Sequence, residues 1–165
     1  MGGKPRVVYG TSWRRHGDRR LRAARIARML RPAVHVAGGL VSTELAVPYR
    51  GTWFRPDVGV LLVSDHPVDG VLDHAPSLVV RLGEPLSAEA WLEAGADAVW
   101  AVEAETVWEL SHQHRRVVAA DEWLTHPDEL ALRLPAYELT GESERQRAGG
   151  RGSDGEPTPH TRVGA

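Results

Sequence analysis

Residues 77–102 read SLVVRLGEPLSAEAWLEAGADAVWAV, and this stretch decides the fold class. SLVVRL is a dense apolar strand broken by one arginine, and Gly83 and Pro85 stop it. LSAEAWLEA then reads as a short helix. Ser87 offers an N-cap oxygen, and Gly95 stands where a helix closes in the left-handed C′ conformation. AVWAV, residues 98–102, is a second buried strand. Strand, helix and strand in this order predict a right-handed parallel crossover, and so an α/β domain with a mixed sheet.

Working outward, TVWEL (106–110) and RRVVA (115–119) form a hairpin around Ser111-His112-Gln113-His114. Residues 130–139 are apolar and interrupted by proline, a closing strand or turn. On the N-terminal side, LVSTELAVP (40–48) alternates with period two. Through Arg50-Gly51-Thr52 it turns into the strand of residues 57–63, a hairpin with a loop longer than two residues. Residues 13–30 carry apolar side chains at helical spacings, more cleanly in the second half. Gly17 allows two helical pieces, Thr11-Ser12 offers a cap, and Pro32 ends the helix. Residues 6–9 allow a further short strand, and 64–76 read as a polar loop.

The chain has 165 residues, one domain expected over 1–140 and a disordered tail over 141–165, where almost nothing can be buried. It has no cysteine, which excludes disulfides, thiolate metal sites and cysteine nucleophiles. No apolar run reaches the ~18 residues that span a bilayer. The first residues lack the apolar core of a signal peptide, so a cytoplasmic protein without membrane contact is expected. The net charge of -2 hides an asymmetry: residues 12–31 hold eight Arg against one Asp, roughly +7, while 32–140 sum to roughly -11. Such a basic helix either binds an anionic partner such as DNA or packs on the acidic body of its own domain or of a second copy.

The candidate chemistry begins at Pro56-Asp57, an acid at the mouth of a buried strand. Glu44 lies in the strand before it, and Glu84 just after the strand of residues 77–82. Carboxylates meeting at a sheet edge are hard oxygen ligands that suit Mg²⁺ and phosphate chemistry. His66, His74, His112, His114 and His126 show no zinc-site spacing and read as solvated loop histidines. Asp65, Asp69 and Asp73 lack the glycine and closing glutamate of a calcium loop. Trp91, Trp100 and Trp108 fit core positions, and Trp53 is expected to be exposed.

Taken in order, Ser42-Thr43-Glu44-Leu45, Arg55-Pro56-Asp57-Val58, Pro76-Ser77-Leu78-Val79-Val80, Pro85, Leu92-Glu93-Ala94-Gly95 and Ala98-Val99-Trp100-Ala101-Val102-Glu103 resemble the Uma-type restriction endonuclease family of the PD-(D/E)xK nuclease superfamily. The resemblance covers residues 10–139 and is strongest over 42–103. It implies a restriction-endonuclease-like fold, a central mixed sheet flanked by helices, and divalent-metal-dependent DNA hydrolysis. On that resemblance Asp57 matches the metal-binding Asp, and Glu44 an acid that often precedes it. A homodimer is compatible with the superfamily.

The chain departs from the pattern at two positions. Where a second acid should follow the two valines stands Arg81, and where a lysine should follow in the helix stands Ser87. Lys4 is the sole lysine. A guanidinium at position 81 replaces a negative ligand with a permanent cation able to pair with Asp57 or Glu44. Glu84 is the nearest replacement carboxylate. Two readings follow: a Mg²⁺ nuclease with a weakened site at Asp57, Glu44 and Glu84, or a non-catalytic DNA-binding or protein-interaction module on the same fold.

Overall fold

The computed structural model describes residues 13–62, 72–83, 86–129 and 131–141, with side chains from residue 18 onward. The expected strand at 6–9, the cap at 11–12, His66, Asp65, Asp69, Glu84 and nearly all of the tail lie outside the described residues.

Helix α1 spans Trp13–Val36 without a break. Ala23, Ile26, Ala27, Leu30 and Val34 form its buried stripe, each at most 5% exposed. Of the two forms that Gly17 allowed, the helix takes the single piece, and the predicted stop at Pro32 is corrected. Pro32 sits on the solvent side, so the carbonyl that its missing N–H leaves unpaired can turn to water, and burial of Val34 holds the last turn. Gly38, with φ 77°, closes the helix: its N–H and that of Gly39 reach the His35 and Val34 carbonyls.

The strands are β1 (Leu40–Ser42), β2 (Val47–Tyr49), β3 (Thr52–Phe54), β4 (Val58–Leu61), β5 (Leu78–Arg81), β6 (Ala98–Glu103), β7 (Thr106–Ser111), β8 (Arg115–Val118), β9 (Trp123–Thr125) and β10 (Arg133–Pro135). Helix α2 spans Ala88–Glu93 and α3 spans Tyr137–Thr140. Six strands form a mixed central sheet in the order β1-β4-β5-β6-β7-β8. Only β5 and β6 run parallel, joined through α2, which is the crossover expected from residues 77–102. Ser87 caps α2 as predicted, its hydroxyl accepting from the Ala90 amide, and Gly95 follows the helix at φ 107°.

The expected pairing of residues 40–48 with 57–63 is present only as β1 on β4, from Leu40↔Leu61 to Ser42↔Gly59. Beyond Ser42 a separate ribbon, β2 on β3, intervenes. Arg50 and Gly51, at φ 49° and 78°, close it with a two-residue turn whose twist matches its strands. Residues 130–139 divide similarly: Arg133–Pro135 pairs with β9, and α3 follows.

The sheet is buried on both faces. Val58, Val60, Leu78, Val80 and Trp100 pack towards α1, while Leu61, Val79, Val99, Ala101 and Leu110 pack with Ala88 and Trp91 of α2. Among the described residues no helix is long and apolar enough to cross a membrane.

Candidate functional site

Strand β4 is buried along its whole length, so Asp57 is the first residue at its mouth that can meet water. Side chains alternate across a strand. Asp57 therefore follows Leu61 and Gly59 on the α2 side of the sheet, as Arg81 follows Val79 and Glu103 follows Ala101. One step beyond Val58↔Val80, the antiparallel register sets Asp57 opposite Arg81. The ends of β4, β5 and β6 thus carry a row of acid, base and acid.

Helix α1 closes this row. Arg19 lies one turn before Ala23, so the stripe that buries Ala23 and Ile26 also places Arg19 over the end of the sheet. Its Nε donates to Asp57 Oδ1 at 2.6 Å and its Nη2 to Oδ2 at 3.1 Å. The Leu82 amide donates to Oδ2 at 2.7 Å. A two-pronged guanidinium–carboxylate pair of this kind is among the stronger and more directional ionic contacts. The Asp57 side chain is only 10% exposed. Gly83 makes room for the fork, since a Cβ there would stand 3.2 Å from Arg19 Nη1.

Arg81 is buried beside it. Its Nε donates to the Leu86 carbonyl, and its Nη1 pairs with Glu103 Oε1 at 3.0 Å. The sequence allowed Arg81 to pair with Asp57 or Glu44; the structure puts Arg19 on Asp57 and Arg81 on Glu103. Two further α1 arginines also bind the domain body. Arg22 donates to the Leu139 carbonyl at 2.9 Å, and Arg25 pairs with the buried Glu138 at 3.0 Å.

A divalent cation does not suit this row. Asp57 already accepts from three donors on its two oxygens. The second acid position is a guanidinium. The space among Arg19, Asp57, Arg81, Gly83, Leu86 and Trp91 is about 10 Å³, at the lower limit for one water. Among the described residues no three His, Asp or Glu side chains gather as a metal-binding group. Glu44 is exposed, its amide turned to Ser42 Oγ.

Next to this closed row lies an open cleft of about 470 Å³, lined by Arg19, Arg20, Ala23, Thr43, Glu44, Arg55, Pro56 and Asp57. Asp57 and Glu44 both line it. Three guanidinia face two carboxylates there, and one carboxylate is already paired. Arg20 and Arg55 are exposed, and Arg28 and Arg31 continue the exposed charge along the outer side of α1. Angular steps of 100° per residue put Arg20, Arg31 and Arg28 within about one quarter of the helix circumference.

A second carboxylate cluster was not anticipated. Glu109 on β7 is 2% exposed. It takes a fork from its cross-strand neighbour Arg116, at 3.0 and 3.3 Å, and also pairs with the Thr125 amide and with His114 Nε2. Burial pushes its carboxyl up, but the bonds from Arg116, Thr125 and His114, with the Arg116 charge, together hold it below its ordinary value. His114 Nδ1 meets Ser111 Oγ at 3.0 Å. Ser111 Oγ also accepts the Gln113 and His114 amides, which makes it the anchor of the β7–β8 turn. His126 is a further correction. It is 1% exposed, not solvated, and its Nδ1 accepts from the Asp128 and Glu129 amides. Trp53 is exposed as expected, and so is Trp123.

With this geometry in place, comparison with solved structures finds a likeness to the crystal structure of a "putative nuclease belonging to DUF820" from Anabaena variabilis. It is 17% identical, with a TM-score of 0.56 over 73% of this chain and 80% of that one. The two chains share a fold. No family model and no curated protein matches this chain.

Proposed function

We propose that this chain is a nucleic-acid-binding protein on a restriction-endonuclease-like fold that has exchanged metal-dependent hydrolysis for a fixed guanidinium–carboxylate pair. The observation that carries this reading is the Arg19–Asp57 fork. The helix that presents the basic surface also supplies the cation that neutralises the carboxylate expected to hold a metal. A permanent cation at that place does for the fold what the ion would do: it offsets the charge of Asp57. It supplies no activated water.

Binding is the part of nuclease function that these residues still support. Arg20 and Arg55 line an open cleft, and Arg28 and Arg31 carry exposed positive charge farther along α1. Arginines arranged in this way attract a phosphate backbone by counterion release, without reading its sequence. The neighbour described as a nuclease supports the same substrate class.

Incubation of supercoiled plasmid with Mg²⁺ or Mn²⁺ tests the first half, and fluorescence anisotropy of labelled DNA tests the second. The expected result is no nicking above that of the Asp57→Ala variant, together with DNA binding that weakens steeply as salt rises. Metal-dependent nicking that Asp57→Ala abolishes would overturn the loss of hydrolysis. Absence of any salt-sensitive binding would overturn the nucleic-acid assignment.

A further inference from the structure

Trp53 is 59% exposed at the rim of the molecule, on the ribbon that the sequence did not reveal. A large indole left in water forgoes most of its burial energy, and its surroundings suggest what it meets. Along β3 and beyond it, Trp53 and Arg55 are exposed, while Phe54 is half-buried and Pro56 buried. A residue before proline is held extended, so the alternation continues past the end of β3. Trp53 and Arg55 therefore project to one side, separated by about 7 Å, two residues of extended chain. Arg55 lines the cleft with Arg19 and Arg20. The exposed indole thus stands next to the basic cleft, at the spacing that separates a base from a nearby phosphate.

We infer that Trp53 is a stacking platform for an unpaired base, and that the cleft takes single-stranded nucleic acid in preference to duplex. The inference rests on the nucleic-acid reading above and narrows its substrate class. Three features favour it. Trp53 follows the exposed Arg50, Gly51 and Thr52, and among the described residues the other large exposed apolar side chains lie on α1, β1, β8 and β9, so no apolar docking patch is centred on it there. A hairpin tip stiffened by Pro48 opposite Trp53 holds the indole at little entropic cost. A flat aromatic surface stacks on a base only when that base is out of its own pair, whereas the guanidinia act on the backbone of either form.

The test uses the full chain and two labelled probes, a 12-nucleotide oligo(dT) and a blunt duplex of equal length, titrated at one low salt concentration with wild type, Trp53→Ala and Trp53→Phe. Wild type is expected to bind the single strand more tightly. Trp53→Ala should lose about tenfold on the single strand, within the range of one stacked base. It should leave the duplex affinity unchanged, and Trp53→Phe should recover most of the loss. Far-UV circular dichroism of both variants checks that the fold is retained. Equal binding of the two probes, or a single-strand affinity indifferent to Trp53→Ala, would overturn the stacking platform while leaving nucleic-acid binding intact. Binding of neither probe would remove both.

Discussion

Two carboxylates in this molecule are each gripped by the fork of an arginine, and they differ in what surrounds them. Glu109 lies inside the β7–β8–β9 corner, with Arg116 across the strand, the Thr125 amide above and His114 beside it. Asp57 lies at a sheet end, gripped by a residue 38 positions away in the chain, with an open cleft on its other side. The first pair joins neighbouring strands of one sheet. The second joins a helix to a sheet across a position that resembles a metal site. Similar chemistry therefore has two settings: at Glu109 it secures the fold, and at Asp57, on the function proposed above, it takes the place of a metal.

The largest expected effect breaks the buried member. Glu109→Ala leaves the Thr125 amide without its acceptor and Arg116 with only the Trp123 carbonyl and Glu122, and losing one partner of a buried pair costs several kcal/mol. Because Arg116 retains some contact with water, about 3 kcal/mol is expected, at the low end of that range. Urea denaturation of both proteins measures it. Asp57→Ala should cost less, about 2 kcal/mol, because the Asp57 carboxylate is less deeply buried than Glu109 and borders the open cleft, so water can reach its partners when it is lost. An Asp57 loss equal to or larger than the Glu109 loss would remove the distinction between the two pairs.

Acid sharpens the comparison. The folded-state pKa of Glu109 lies below its ordinary value of 4.5. The unfolded chain therefore takes up a proton first as pH falls. The stabilisation by Glu109 is complete above 4.5 and is lost as pH drops from there through the lower folded value. Urea midpoints measured at pH 7, 5, 4 and 3 should fall steeply below pH 4.5 in wild type and less steeply in Glu109→Gln. Equal slopes would show that the cluster is not a source of acid sensitivity.

The parts of this structure legible in the sequence are those fixed by neighbours in the chain. Strand β5, helix α2 and strand β6 announce themselves through a Ser87 cap, a Gly95 stop and runs of Val and Trp. The β7–β8 hairpin does the same. The errors fall where tertiary context outweighs local preference. Pro32 does not end α1, because its face meets water while Val34 is held in the core. The turn at Arg50-Gly51 was legible, but the strand it leads into was not: Thr52–Phe54 pairs back on Val47–Tyr49 as a short ribbon before residues 58–61 join the main sheet. Asp57 and Arg81 were found as a pair of positions, but Arg19 was not, because nothing local links it to a strand that follows four elements later. Extending the buried stripe of α1 back one turn from Ala23 was the available signal.

The smallest expected effect tests how firmly Arg19 is seated. Gly83 leaves just enough space for the guanidinium: a Cβ would lie 3.2 Å from Nη1 and 3.4 Å from Cζ, closer than the group normally tolerates. No left-handed backbone is involved at Gly83, so Gly83→Ala acts through this contact. If Arg19 is held tightly between Asp57 and Gly83, a shift of a few tenths of an ångström should lengthen the fork and cost about 0.5 kcal/mol, part of one charged hydrogen bond. In an Arg19→Ala background nothing remains to collide. There the same substitution should be neutral or stabilising by about 0.4 kcal/mol, because alanine restricts the unfolded chain more than glycine does. The difference between the two backgrounds isolates the contact. An identical effect in both would mean that Gly83 is not the seat of Arg19, and that the closure of Asp57 depends on the fork alone.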